Sequence, residues 1–532
     1  MPQQRASINA IISVSDPSNV EILGRALAEM GANIYATGGT KARLQAAGVD
    51  AHSVSDLTGF PEILGGRVKT LHPGVHSGIL AKRNDAGQMA QLAEHNLQTI
   101  ELVAVNLYPF ARTIAKEGVT LDDAVENIDI GGPTMIRAAA KNFTSVVVLS
   151  DPDDYEAVIQ EWRDNGDVSQ ETRKRLASKA FDHVSGYDAL IAGYLGGSEA
   201  QGASESDGLP AAITLSLKQV QALRYGENPH QLGALYSDNL PAAGPTLVGS
   251  LKQLHGPELS YNNLMDADAA LALVRDYTMP AVAIIKHAGP CGIACGAEEE
   301  DLGEIFGRAL ASDPVSAFGG IVGINRPVNG NVAEQLAKTR FDVLVAPAFD
   351  EDAIDKLARK RNLRLLAVPD ANVDHRDSDF IGKLTFRQVS GGFLIQTRDA
   401  VDYDILMEPA TLRHPTLEEI ADLIFAWRAV RHVRSNAIVF ARKLATVGIG
   451  GGQTSRVDSV KIAVEKAGER ARGAVMASDA FFPFADGVEV AASAGITAVI
   501  QPGGSVNDDA VIEAADTAGL AMVFTKKRHF RH

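Results

Sequence analysis

Along the first two hundred residues the apolar positions follow two rhythms. The short, nearly all-apolar run "INAIISVS" predicts a strand covered on both faces. Behind it, Val20, Leu23, Leu27 and Met30 recur at helical spacing and predict a helix with one buried stripe. "NIYAT" reads as a second strand, and "GGT" turns into the helical "KARLQAAG", which stops at Gly48. The β-branched runs "IELVAVNLY" and "SVVVLS" predict two further buried strands. Strand, helix and strand in succession require right-handed crossovers and a mostly parallel sheet. Ligands in such sheets sit beyond the carboxyl ends of the strands, so the loops after "IISVS", "IYAT" and "VAVNLY" are the places to search.

The rhythm breaks at "GGSEAQGASESDGLP", residues 196–210, which is small, polar and acidic and predicts a linker. "RYGENPHQ" then opens a region too long for one comfortable core. Within it, "PAVAIIKHAGPCGIACG" and "SAFGGIVGIN" read as strands with tight turns, and "EEIADLIFAWRAVRHVR" as a helix. The strands "AIVFARK" and "ATVGIG" follow, then a helix from Ser455. "SDPVSAFGGIVGI" and "SDAFFPFADGVEV" each place Ser-Asp ahead of a Phe- and Gly-containing turn, an echo that predicts two related subdomains. The expected organisation is 1–195, a linker at 196–210, then 211–385 and 386–532.

Composition narrows the class. The chain has 532 residues, 45% hydrophobic and 22% charged, as an ordinary soluble globular protein has. A formal net charge of −16 argues against a nucleic-acid-binding face. No apolar run approaches the roughly 18 residues of a membrane span, and two cysteines make no disulfide framework. The start, "MPQQRASINAIISVSD", is too short and polar for a secretory signal. A cytoplasmic location is expected.

Against that acidic background, "GGRVKTLHPGVHSG" gathers Arg67, Lys69, His72 and His76 between glycines without neighbouring carboxylates, and predicts an anion site. "ATGGTK" follows a strand and opens a helix, where free backbone N–H groups favour phosphate; "GIGGGQTSR" does the same later. In "IIKHAGPCG", Lys286 and His287 stand at a strand end before a bend, a base beside a cation. A zinc site is rejected: Cys291 and Cys295 are one residue too widely spaced for the deaminase pattern, and its His-x-Glu is missing. The basic, aromatic terminus "FTKKRHFRH" follows the strand "LAMVF", so it is expected to dock.

Taken in order, "SVSD", "GGRVKTLHP", "NLYPF", "IDIGG", "RAAAKN", "RYGENPHQ", "KHAGPCG", "SDAFFPF" and the terminus resemble one family nearly end to end. It is the family of bifunctional purine-biosynthesis enzymes that act as AICAR formyltransferase and IMP cyclohydrolase. AICAR is the aminoimidazole carboxamide ribotide. The resemblance implies an α/β chain: a methylglyoxal-synthase-like parallel-sheet domain that closes the purine ring, then two cytidine-deaminase-like α/β subdomains. Those would transfer a formyl group from 10-formyltetrahydrofolate, without a catalytic metal, in a homodimer with the transfer site at the interface. By motif, the cyclohydrolase residues would be Ser13, Ser15, Thr37, Gly38, Arg67, Lys69, Thr70, Asn106, Tyr108, Asp129, Gly131 and Lys141. The transferase would bind substrate through Arg224, Tyr225, Asp342, Gln453, Arg528, Phe530 and His532, and folate through Phe481, Pro483 and Asp486. Its catalytic residues would be Lys286, His287 and Asn436, while Lys69, Tyr108, Asp129 and Lys141 would serve ring closure. Two departures stand out: Pro17, Ser18 and Asn19 where the family carries a lysine-led loop, and Arg531 where it often has histidine.

Overall fold

The computed structural model describes residues 8–114, 116, 118–200, 209, 212–215, 217–238, 251–369, 384–399 and 405–532. They fall into two compact units, one built on residues 1–217 with 238–241, the other on 218–237 with 242–532.

The first unit has a five-stranded sheet: β1 (Asn9–Val14), β2 (Asn33–Ala36), β3 (His52–Ser53), β4 (Leu102–Asn106) and β5 (Val147–Leu149). Their order is β3-β2-β1-β4-β5, with every pair parallel. β4 is buried at every position, as a strand sandwiched between helices requires. The helix Val20–Glu29 buries Val20, Leu23 and Leu27 of the stripe read from the sequence, while Met30 is its half-buried C-cap. The two-residue β3 leaves no periodic signal. The helix Gln170–Ala200 runs through the boundary expected at 195, because Gly196 and Gly197 weaken a helix without ending it. Most of the expected linker, residues 201–208 and 210, lies outside the described residues.

In the second unit a single 12-stranded sheet carries both expected subdomains. Its central ten strands form two matching halves. The first comprises β9 (Ala281–Lys286), β10 (Gly289–Cys295), β11 (Ile321–Ile324), β12 (Val343–Ala346) and β13 (Arg364–Ala367). The second comprises β17 (Ile438–Arg442), β18 (Ala445–Gly450), β19 (Val475–Ser478), β20 (Ala498–Gln501) and β21 (Ala521–Phe524). Each half is an antiparallel hairpin followed by three mutually parallel strands. The halves join edge to edge where β10 meets β18 antiparallel, Ala294 opposite Ala445. β8 (Lys252–His255) and β16 (Glu408–Pro409) close the two ends. Two separate hairpins, β6 (Leu217–Leu223) with β7 (Gly233–Asp238) and β14 (Leu384–Val389) with β15 (Gly392–Thr397), complete the strands. The division expected near 385 falls inside β14.

The halves repeat each other in detail. Gly292 and Gly448 occupy the same place in β10 and β18. A Cβ there would come 1.9 Å from Ala309 O or 2.2 Å from Ala463 O, so each glycine lets the following helix lie against its strand. Two related halves are present as expected, but the echoed words are not equivalent positions: Ser312–Asp313 precede β11, whereas Ser478–Asp479 end and follow β19.

Candidate active sites

In the first unit the carboxyl ends of β1, β2 and β4 meet where the sequence pointed. Ser13 Oγ lies 3.0 Å from Thr37 Oγ1. Thr37 is the N-cap of the helix Gly38–Ala46 yet makes no side-chain cap, and a Cβ on Gly38 would meet nothing. That leaves helix N–H groups facing open space, an arrangement suited to phosphate. Asn106 shapes the neighbouring loop: its Oδ1 accepts from Ser15 N and Asp16 N at 2.6 and 2.8 Å, and its Nδ2 donates to Asp16 O at 2.8 Å. The Pro17–Asn19 departure closes on itself. Ser18 donates its hydroxyl and backbone N–H to Asp16 Oδ1 at 2.6 and 3.0 Å, bonds that lower the Asp16 pKa.

The basic stretch divides between two roles. Arg67 and Lys69 are exposed, but Arg67 is not free of carboxylates as its local sequence suggested: it pairs with Glu126, distant in sequence. His72 instead caps a helix, its Nδ1 accepting from Gly74 N at 3.0 Å, with Pro73 in the first turn. His76 is half-buried, and burial lowers its pKa. Thr70 is buried beneath Gly131, where a Cβ would come within 2.6 Å of its hydroxyl. Asp129 anchors the start of the helix Gly131–Lys141, accepting from Gly132 N at 2.8 Å while its own N–H donates to Tyr187 OH at 2.8 Å. Tyr108 is 55% exposed. Lys141 is not brought to this group: it ends that helix, about 15 Å along the axis from Gly131. It lines a groove of about 790 Å³ with Arg137, Lys174, His76 and Phe181.

In the second unit the strand register collects the transferase candidates on one edge of the sheet. β9 ends at Lys286, β11 begins opposite Ile285, and β12 and β13 begin beside it. Lys286, Phe318, Asp342 and Arg364 therefore share an edge. β17 begins at Ile438 opposite Gly450, the end of β18, and opposite Ser478, the end of β19. Asn436, Gln453 and Phe481 thus lie on that same edge. Lys286 Nζ donates to Phe318 O at 2.8 Å; the His287 side chain is exposed. Asp266, from the helix Tyr261–Arg275, accepts from His287 N and Ala288 N at 3.2 and 2.7 Å.

Asn436 follows a cis peptide bond and is held on three sides. Its Nδ2 donates to Gln453 O and Thr454 O at 3.0 and 3.1 Å, and its Oδ1 accepts from Arg456 Nη2 at 2.8 Å. Arg456 also pairs with the wholly buried Asp479. The Arg364 guanidinium, whose pKa burial lowers, lies within electrostatic reach of Asp342, Arg224 and Tyr225. Phe481 is 38% exposed, Asn507 Nδ2 donates to Pro483 O at 2.7 Å, and Asp486 begins a helix. The terminus docks on this edge: His529 N donates to Asp479 O at 2.9 Å and Ser435 N to Arg531 O at 2.8 Å. Arg528 lies 4.6 Å over the Phe530 ring, and the Phe530 and His532 rings are 5.6 Å apart. The departing Arg531 donates to His432 O at 3.1 Å, which makes it an anchor of the tail.

Asp266, Arg364 and Asp479 were not found from sequence, and Arg456 was read only as the end of the turn "GIGGGQTSR". The usable signal for Asp266 was an acid among apolar neighbours on the buried side of the helix "NNLMDADAALALV", where Asp268 takes the exposed side. Among the described residues, no group of three or more His, Cys, Asp or Glu side chains lies together as a metal site would need. No described helix is long and apolar enough to cross a membrane.

Comparison with known proteins finds two family models in succession along the chain. The model of the MGS-like domain matches residues 20–134, and that of the AICARFT/IMPCHase bienzyme matches residues 139–466. The chain is 49% identical over 524 residues to the bifunctional purine biosynthesis protein PurH of Anoxybacillus flavithermus, covering 98% of this chain and 99% of that one. The protein of the same name from Halalkalibacterium halodurans matches with the same identity and coverage. The chain belongs to the AICARFT/IMPCHase bienzyme family.

Proposed function

We propose that the two reactions are divided between the units, formyl transfer on the shared edge of the 12-stranded sheet and ring closure at the carboxyl edge of the five-stranded one. The chain is a bifunctional enzyme of purine biosynthesis, AICAR formyltransferase and IMP cyclohydrolase, acting in the final steps to IMP. The register that aligns Lys286, Phe318, Asp342, Asn436 and Gln453 on one edge carries the assignment of the first step.

The formyl donor is 10-formyltetrahydrofolate. The amine of AICAR is a weak nucleophile, its lone pair delocalised into the imidazole carboxamide, so a proton must leave as it attacks the formyl carbon. His287 takes that proton. Lys286, held at Phe318 O, retains two N–H donors for the tetrahedral oxyanion or for the folate nitrogen as the C–N bond breaks. The fixed amide of Asn436 frames the base, and placement alone is a large rate term. Arg224, Tyr225 and Asp342, gathered near Arg364, hold the ribotide, with Gln453, Arg528, Phe530 and His532 around it. Phe481, Pro483 and Asp486 receive the folate.

In the first unit the open helix end behind Thr37 and Gly38 holds the ribotide phosphate, with Ser13, Ser15, Arg67 and Thr70 near it. The carboxamide nitrogen attacks the new formyl carbon, and the resulting hydroxyl leaves as water. Lys69, Tyr108 and Asp129 stand at this site to move those protons. The proposed assembly is a homodimer with the transfer site at its interface. The cytoplasm is the proposed location.

Purified protein given AICAR and 10-formyltetrahydrofolate should accumulate IMP. Lys286→Ala or His287→Ala should stop at AICAR yet still convert supplied formyl-AICAR. Binding of formyl-AICAR without turnover would overturn the catalytic reading of the first unit.

A further inference from the structure

The transfer turn is an unfavourable one for its sequence. His287 and Ala288 both adopt left-handed backbone, φ 55° and 56°. A two-residue hairpin turn of this kind ordinarily carries Asn-Gly, because at positive φ a Cβ crowds the neighbouring carbonyl oxygen, a cost that glycine lacks and asparagine offsets by local hydrogen bonding. Here neither central residue is glycine, and the compensation comes from elsewhere. Asp266, almost wholly buried, turns both carboxylate oxygens to the turn, one on each central N–H. A charged acceptor satisfying two adjacent donors fixes the plane of both peptides.

The second half supplies an internal control. Asp422, 9% exposed in the helix Leu417–Val430, accepts from Lys443 N and Leu444 N at 2.8 and 2.7 Å. Lys443 and Leu444 again have φ 53° and 54°. The sequence separations, 21 and 22 residues, are the same in both halves. The device is thus part of the repeated scaffold, while only one copy carries a histidine flanked by an edge-bound lysine.

We infer that Asp266 is a positioning residue for formyl transfer: through two backbone hydrogen bonds it sets the direction in which Lys286 and His287 leave the turn. The inference rests on the assignment of the transfer step to that pair. Asp266 touches neither reacting atom. Its effect is carried by the backbone, and it appears in turnover more than in binding, because the ribotide and folate contacts lie on other segments.

The test uses full-length Asp266→Ala, Asp266→Asn and Asp422→Ala, with His287→Ala alongside. Thermal midpoint, kcat and KM of formyl transfer, and cyclisation of supplied formyl-AICAR are measured for each. Asp266→Ala is expected to lower transfer kcat by about 10- to 100-fold with KM changed less than about threefold. Asp266→Asn, which keeps one acceptor oxygen, recovers part of that loss, and cyclisation is unaffected throughout. Asp422→Ala lowers the thermal midpoint comparably but transfers normally per folded molecule. If Asp266→Ala does not fold, the kcat of Asp266→Asn decides the matter. Normal kcat in the folded Asp266 variants, or an equal loss in Asp422→Ala, overturns the inference. Full transfer activity in His287→Ala would instead remove the site assignment beneath it.

Discussion

On one edge of the 12-stranded sheet Asp266 holds the turn Lys286–Gly289; on the other, Asp422 holds Arg442–Ala445 by the same two bonds. The residues that follow β11 and β19 also correspond. Asn325 N donates to Ala281 O at 3.3 Å, and Asp479 N to Ala437 O at 3.2 Å. There the likeness stops. Asn325 uses its amide to close a backbone corner, donating to the carbonyls of Val274, Tyr277 and Met279. Asp479 is a carboxylate that holds Arg456, which in turn holds Asn436. Because the halves run in opposite directions, the candidate site combines the turn of the first with the strand end of the second. Neither half contains both, so the two edges share one backbone device and differ in the side chains set around it.

The sharpest break of that comparison is at the turns. His287→Ala should lower formyl transfer by about 10²- to 10⁴-fold, the usual worth of a positioned general base. Lys443→Ala at the matching place should leave transfer within about twofold, measured with saturating AICAR and folate. Next come the strand-end residues. Arg456→Met leaves Asp479 buried without its partner and should cost about 3–5 kcal/mol in denaturant unfolding, with most transfer activity lost. Asn325→Ala should cost about 2–3 kcal/mol through unsatisfied carbonyls and leave specific activity unchanged. Equal activity loss in both would erase the distinction between the edges.

The smallest effect concerns Cys291, whose place in β10 is that of Val447 in β18. Burial, the largest cause, pushes its thiol pKa up to about 11, above its ordinary value of 9.0. The unfolded chain then gives up this proton first, so the thiol's contribution to stability is full below pH 9.0 and fades as pH rises toward about 11. Cys291→Val should flatten that alkaline decline in unfolding titrations and leave transfer at neutral pH unchanged. Iodoacetamide at pH 8 should label the folded wild-type protein only slowly.

Much of this was legible because burial dictates periodicity. β1, β2, β4, β5, β9 and β18 came from apolar runs, and a helix was expected from Ser455. The Lys286–His287 pair drew notice because Lys-His at a strand end before Gly-Pro is chemically unusual. The partners that hold it were not, since one aspartate in a helix reaches a turn only after two strands and a helix are assembled. The repeat was misregistered for a related reason. Its shared feature is a backbone geometry held by Asp266 and Asp422, and the local words "SDPVSAF" and "SDAFFPF" do not mark it. Lys141 was assigned to the first site by its motif "RAAAKN"; the helix Gly131–Lys141 sets it at the far end from Gly131. The ion pair of Arg67 with Glu126 joins distant segments, so no local pattern announced it.

A structure of the full chain with AICAR bound tests the central claim most directly. The account predicts the imidazole ring on the edge formed by the Lys286–Gly289 turn, with its amine toward His287 and its base beside Asn436. A ribotide seated instead at the Arg442–Ala445 turn, or absent from the second unit while filling the first, would contradict it.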